Sequence, residues 1–267
     1  MEFRTIVDIV PPEWRIEPFE RLLLVGSCFA QNMGGKFLDA QFPTVVNPFG
    51  VMYNPASILH TVRRWDGAAD VVVLTLGTNR VYVERATGEI VDNCEKRPQR
   101  LFEERSLSVA ECASYLSEAC RLLRARNERV RIIITVSPIR YRKYGYHGSQ
   151  LSKATLLLAA DQVVRSEGAG VSYFPAYEVL NDELRDYRFY AADMLHPSQQ
   201  AVDYLWERFT EAYFSARSRQ WMAEWEPVRA ALGHRPLHPD APEYLLFKQK
   251  TEARRDELMR KWRGKEN

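Results

Sequence analysis

The chain has 267 residues, enough for one sizeable α/β domain or a domain with an appendage. Hydrophobic residues make up 46% and charged residues 27%, and the net charge of +2 is too mild for a nucleic-acid partner, which needs a concentrated basic face. No segment approaches the roughly 20 apolar residues needed to cross a bilayer, so a membrane partner is set aside as well.

Apolar runs alternate with helical patterns, the signature of a parallel sheet covered by helices. Residues 22–25 read as a short buried strand that stops at Gly26 and Ser27, and residues 30–40 then read as a helix. Residues 44–46 are a second short strand, followed by the turn formers Asn47-Pro48-Phe49-Gly50, and residues 55–65 look helical. The run Val-Val-Val-Leu-Thr-Leu at 71–76 is a central strand. Residues 81–84 and 89–91 flank Thr87-Gly88 as a small hairpin. Ser108 with Glu111 is a capping box that opens a helix to residue 126. Residues 130–136 are another continuous apolar strand, closed by Ser137-Pro138.

A Gly-rich loop at 144–149 precedes a Leu- and Ala-rich helix at 152–167, and residues 171–174 are the last clear strand. Residues 198–214 form a helix with Ser198 as N-cap. Beyond Phe214 the chain turns basic and Trp-rich (Trp221, Trp225, Trp262), with a Pro-rich break at 233–242 and an amphipathic helix at 244–262. The expected organisation is a domain at 1–214 and a helical C-terminal appendage at 215–267. The appendage would pack on the main domain or on a partner, and it offers a route to a homo-oligomer.

Cys28, Cys94, Cys112 and Cys120 include no Cys-x-x-Cys pair and no His at zinc-finger spacing, and Cys112 and Cys120 lie too far apart on one helix to bond. A reduced setting is expected. Residues 1–20 intersperse Glu2, Arg4, Asp8, Glu13, Arg15 and Glu17 among apolar residues, unlike a secretory signal. The expectation is a cytoplasmic protein with no metal and no cofactor. His60, His234 and His238 read as incidental.

Three segments sit at carboxyl ends of predicted strands, the edge where open parallel sheets bind ligands. In Gly26-Ser27-Cys28-Phe29-Ala30, a serine before a helix gains from exposed N–H groups and the helix dipole, which favour developing negative charge. Ser27 is equally a plain N-cap, and Cys28 reads as a buried small hydrophobe. In Asp193-Met194-Leu195-His196-Pro197, a carboxylate three positions before a histidine can supply both a base and its orienter. A surface Asp and a helix-entry His are the plainer reading. After the central strand, Leu76-Gly77-Thr78-Asn79 offers an amide that could face an oxyanion, or an ordinary turn. The three in this order are more specific than any one alone.

Gly26-Ser27-Cys28-Phe29-Ala30 resembles the signature of the GSCFA family, a branch of the SGNH/GDSL hydrolases. The resemblance runs from about Phe3 to Phe214 through Asn47-Pro48-Phe49-Gly50, Tyr53-Asn54-Pro55, Thr75-Leu76-Gly77-Thr78, Asn93-Cys94, Ser137-Pro138-Ile139-Arg140, Gln150-Leu151-Ser152-Lys153-Ala154 and Asp186-Tyr187-Arg188-Phe189-Tyr190. It implies a flavodoxin-like three-layer α/β/α sandwich with a central parallel sheet. It also implies Ser27 as nucleophile, His196 as base and Asp193 as its orienter. The oxyanion donors would be the N–H groups of Ser27 and Gly50 and the Asn79 amide. Arg80 follows Asn79 where the superfamily usually has Asp, and the stretch between Pro55 and Val71 is shorter than expected of the family.

Asn47 is a further candidate for substrate binding, and His147 could line the site or sit on a plain surface loop. The implied activity is hydrolysis of carboxylic esters on an O-acylated carbohydrate or similar small molecule. An acyltransferase using the same residues, or a non-catalytic binding protein on the same fold, are the alternatives.

Overall fold

The computed structural model describes residues 4–94 and 96–264. Glu2 and Phe3, which the sequence reading included, lie outside the described residues, as do Glu95 and the last three residues.

The first half alternates strand and helix: β1 (Leu22–Gly26), α1 (Cys28–Asp39), β2 (Thr44–Val46), α2 (Pro55–Arg64) and β3 (Val71–Leu76). There follow β4 (Arg80–Glu84), β5 (Ile90–Val91), β6 (Phe102–Ser106), α3 (Val109–Arg126) and β7 (Arg131–Val136). Then come α4 (Gly145–Glu167), β8 (Val171–Tyr173) and the short α5 (Ala176–Glu178), which runs into a π-helical stretch, Val179–Leu184. Three longer helices close the chain: α6 (Gln199–Tyr213), α7 (Ala216–Leu232) and α8 (Pro242–Arg263).

Five strands form one parallel sheet in the order β2-β1-β3-β7-β8. Numbered along the chain among themselves, these strands read 2-1-3-4-5, the flavodoxin-like order. The sequence shows why both faces are covered. Leu23, Val25, Val72, Leu74, Leu76, Ile132 and Ile134 pack into one apolar layer with α2, α3 and α4. Leu22, Leu24, Val71, Val73 and Ile133, on the alternate positions, pack into another with α1, α6 and α7. Side chains alternate with period two, so a strand buried on both faces must be apolar throughout. The three-layer sandwich expected from the sequence is the architecture found.

Caps set the helix starts. Asn54 Oδ1 accepts the Ser57 N–H at 2.9 Å ahead of Pro55, and the Ser108–Glu111 box is formed in both directions. Ser198 caps α6.

The sequence missed two features. β6, with the residues Phe-Glu-Glu-Arg-Ser, completes a three-stranded antiparallel sheet in the order β5-β4-β6. Only Phe102 of it is buried, so no apolar pattern marks it. The expected loop at 144–149 is also helical. Gly145 enters α4 at φ 66, and buried Ser149, Ser152 and Lys153 hold the first two turns against the domain. Packing outweighs the low helix propensity of Gly145 and Gly148.

The boundary expected after residue 214 falls between α6 and α7, where Ser215 caps α7. The apolar layer continues across it. Trp221 is fully buried, its indole donates to Ala40 O at 2.8 Å, and Trp225 and Trp262 pack beside it. None of the described helices is long and apolar enough to cross a membrane.

Candidate active site

β1 and β3 are the neighbours at which the winding of the sheet reverses, the place where open α/β sheets bind ligands. Gly26 ends β1 at φ 141, and its N–H donates to Asn47 Oδ1 at 2.8 Å. Ser27 follows as the N-cap of α1, its Oγ accepting the Phe29 N–H at 3.3 Å. The hydroxyl lies 3.2 Å from Thr75 Oγ1 on β3, and Ser27 is 0% exposed. Capping and a strand-end position thus coexist at this serine.

Asp193 and His196 meet as the sequence suggested. Asp193 Oδ2 is 2.6 Å from His196 Nδ1, while its Oδ1 accepts the N–H groups of Leu195 and His196 at 2.8 and 3.0 Å. The backbone N–H of His196, then its ring, then the N–H of Leu195 hold the Asp193 carboxyl down at about 2. It is therefore ionised at neutral pH and fixes the tautomer with the proton on Nδ1.

The loop carrying this pair is pinned to the chain just beyond β7. The Arg140 N–H donates to Leu195 O at 3.0 Å, and its guanidinium donates to Met194 O at 3.1 Å. Ala191 N–H donates to His196 O at 2.8 Å. His196 therefore belongs to the same carboxyl edge as Ser27, with β3 between β1 and β7. The partners of the Ser27 hydroxyl are Thr75 and Phe29 rather than His196.

Each of the expected oxyanion donors makes a bond inside the protein. The Ser27 N–H donates to Thr75 Oγ1 and O at 2.9 and 3.1 Å, and the Gly50 N–H to Asn47 O at 2.9 Å. Asn79 Nδ2 donates to Leu107 O at 2.7 Å, because β6 returns the chain beside β4 and sets residue 107 against residue 79. Asn47, expected to bind substrate, instead shapes the turn before Ser27, although its buried Nδ2 has no partner among the described residues. His147 is exposed on the first turn of α4.

The sequence did not single out Tyr141, whose hydroxyl lies close to Ser27. A methyl group on Gly77 would lie 2.3 Å from Tyr141 Oη and 3.4 Å from Ser27 Cβ, so the tyrosine hydroxyl and the serine are neighbours across this glycine. The Tyr141 hydroxyl is buried and has no hydrogen-bond partner among the described residues. Burial pushes its pKa up, so it remains a protonated, unused donor beside the serine.

The GSCFA family model matches residues 21–68 and 59–209, and the model of the GSCFA protein C-terminal domain matches 225–264. The chain belongs to the GSCFA family. Among curated proteins, none matches the sequence. Similar solved structures include a carbohydrate esterase family 3 protein from Talaromyces cellulolyticus, at 12% identity over 77% of this chain and 99% of that one, with a TM-score of 0.45. Others are a family two carbohydrate esterase from Clostridium thermocellum (11% identity, 73% and 64% covered, TM-score 0.44) and an acetyl xylan esterase from Butyrivibrio proteoclasticus (12%, 73% and 64%, 0.44).

In this GSCFA chain the edge is tied together by a second residue with no role in the sequence reading. Lys153 on α4 is fully buried, and its Nζ donates to Gly77 O at 2.6 Å and Ser137 O at 2.7 Å, clamping the segments that leave β3 and β7. Its signal was available: Lys153, Leu156 and Ala160 share one buried stripe, where a lysine is out of place.

Burial pushes the Lys153 ammonium down to about 7. The unfolded side chain titrates near 10.4, so between about pH 7 and pH 10 the unfolded chain binds more protons and stability rises with pH. Below pH 7 the cost of burying the charge is fully present. Lys153→Met removes this dependence and strands two buried carbonyls. Urea denaturation should find the variant less stable by about 1–3 kcal/mol at alkaline pH. The gap to wild type should narrow toward about pH 6.5, since only wild type buries a charge there. A gap that does not change with pH would contradict this account.

Proposed function

We propose that this chain is a serine-dependent hydrolase of carboxylic esters, acting on an O-acylated, in the first instance O-acetylated, carbohydrate. The observation that carries the reading is the Asp193–His196 pair, held 2.6 Å apart by a loop bonded to the end of β7, at the sheet edge where β1 delivers Ser27. Ser27 Oγ attacks the acyl carbonyl while its proton passes to His196 Nε2, and ionised Asp193 stabilises the imidazolium. Collapse of the adduct expels the alcohol, which takes that proton. Water then attacks the acyl-enzyme with His196 as base, and the acid leaves with Ser27 restored.

The N–H groups of Ser27 and Gly50 serve the oxyanion only by exchanging their present bonds to Thr75 and Asn47. The unpartnered Tyr141 hydroxyl needs no such exchange, and oxyanion donors act by being fixed in advance.

A fluorophosphonate probe tests the reading. Wild type should carry the label on Ser27, located by mass spectrometry, and the Ser27→Ala variant should carry none. Full labelling of that variant overturns the assignment. One observation favours a second reading, a non-catalytic binding protein on this fold: Ser27 is buried and its hydroxyl faces Thr75. In that case wild type neither labels nor hydrolyses p-nitrophenyl acetate, and Ser27→Ala binds carbohydrate as wild type does.

A further inference from the structure

Beside the His196 loop lies a cavity of about 260 Å³ lined by Arg140, Gln150, Asn181, Arg185, Tyr187 and Tyr190. One wall is continuous with the loop: the Arg140 guanidinium donates to Met194 O, and Tyr190 pairs with Pro197 in an isolated bridge. Whatever fills this space is held next to the loop that carries His196.

Two guanidinium groups and one carboxylate, Asp186, line it. Among the described residues no carboxylate forms an ion pair with Arg140 or Arg185, whereas Asp186 accepts the Arg188 N–H and faces its guanidinium at 3.7 Å. Arg140 lies over the rings of Tyr146 and Tyr190, at 4.2 and 5.2 Å from their centroids, which steadies the plane and leaves the N–H donors beyond the one given to Met194 O for a ligand. Arg185 follows the π-helical stretch as its C-cap, at φ 44 and ψ 36 in the left-handed region, with its N–H on Leu180 O.

The remaining surfaces are of another kind. Tyr187 is 69% exposed and offers an open aromatic face, and the amides of Asn181 and Gln150 line the cavity, with Asn181 Nδ2 donating to Tyr177 O and Gln150 Oε1 accepting the Tyr177 hydroxyl. A guanidinium group fits a planar carboxylate through two parallel N–H donors, and two of them line this cavity. Aromatic faces and amides fit the apolar face and the hydroxyls of a sugar ring. At this volume the cavity falls below the roughly 300–1,000 Å³ of pockets for drug-sized ligands and takes a single ring.

We propose that this cavity is a subsite for a carboxylate-bearing sugar, a uronic acid unit of the acylated substrate, held by Arg140 and Arg185. The proposal rests on the esterase reading for the word substrate, but the binding itself does not need turnover. It is therefore tested on the Ser27→Ala protein by calorimetric titration with glucuronate, glucose and inorganic phosphate. Glucuronate should bind at least about tenfold more tightly than glucose and than phosphate, the size expected of charge-assisted bonds added to ring contacts.

Arg185→Gly removes the guanidinium while relaxing the left-handed backbone, so it preserves the local fold. It should weaken glucuronate binding about tenfold or more and leave glucose binding unchanged. Tyr187→Ala, at an exposed position, should weaken both sugars and not phosphate. Equal binding of glucose and glucuronate, phosphate binding as tight as glucuronate, or no binding of glucuronate overturns the subsite. Failure of fluorophosphonate labelling with glucuronate binding intact would overturn only the esterase reading.

Discussion

Replacing His196 by alanine is expected to lower kcat for p-nitrophenyl acetate by roughly 10⁴–10⁶-fold, the range seen when a serine hydrolase loses its base. The reason lies in the first step: at neutral pH a serine hydroxyl is a poor nucleophile until a neighbour accepts its proton. In this chain the imidazole has one nitrogen committed to Asp193, leaving Nε2 for the hydroxyl. Asp193→Asn should cost about 10⁴-fold without unfolding the loop. An amide oxygen at this position can still accept the N–H groups of Leu195 and His196 that Oδ1 now holds, so the shape survives. The amide NH₂ would then face Nδ1 and force the proton onto Nε2, the tautomer unable to act as base. Initial-rate kinetics with circular dichroism on the same samples check both variants. His196→Ala retaining more than a tenth of the wild-type rate would remove the imidazole from the mechanism.

The sheet was legible because its central strands are buried on both faces. A run such as residues 71–76 has no solvent-facing position at which to hide a charge. Capping also reads directly, since Ser108 and Glu111 satisfy each other within one turn and need nothing from the rest of the fold. Ser27, Asp193 and His196 could be proposed because a strand end and a four-residue loop are local objects. What escaped depends on contacts distant in sequence. β6 is marked by one buried residue and earns its place by pairing with β4, register Arg80↔Ser106 to Glu84↔Phe102.

That one omission also hid a contact in the site. With β6 unseen, nothing indicated that Leu107 would return beside Asn79, exchanging bonds in both directions through Leu107 N–H to Asn79 O and Asn79 Nδ2 to Leu107 O. One donor of the amide expected to face an oxyanion closes the antiparallel insertion. Tyr141 and Lys153 escaped for a related reason. A tyrosine or lysine acquires an unusual state through burial, and burial is fixed by neighbours from β3, β7 and α4 together.

Gly26→Ala should be the most damaging small substitution in the chain, costing more than about 4 kcal/mol or preventing folding altogether. Gly26 stands at φ 141, where an L side chain is strained whatever the space around it. There is also no space: the added methyl would lie 2.1 Å from Thr75 O and 2.5 Å from Thr75 Oγ1. Those atoms belong to the strand paired with Gly26, and they are the same two that receive the Ser27 N–H. Relief therefore requires β1 and β3 to separate at their carboxyl ends, which opens the sheet and displaces the serine together. Gly35→Ala supplies the opposite sign. Gly35 lies inside α1 with nothing within 4 Å of an added methyl, so helix propensity alone decides, and the variant should gain about 1 kcal/mol. Urea denaturation of both reads the contrast. A Gly26→Ala protein with the wild-type midpoint would mean that β1 does not end against Thr75, and the placement of Ser27 at the switch point would fall with it.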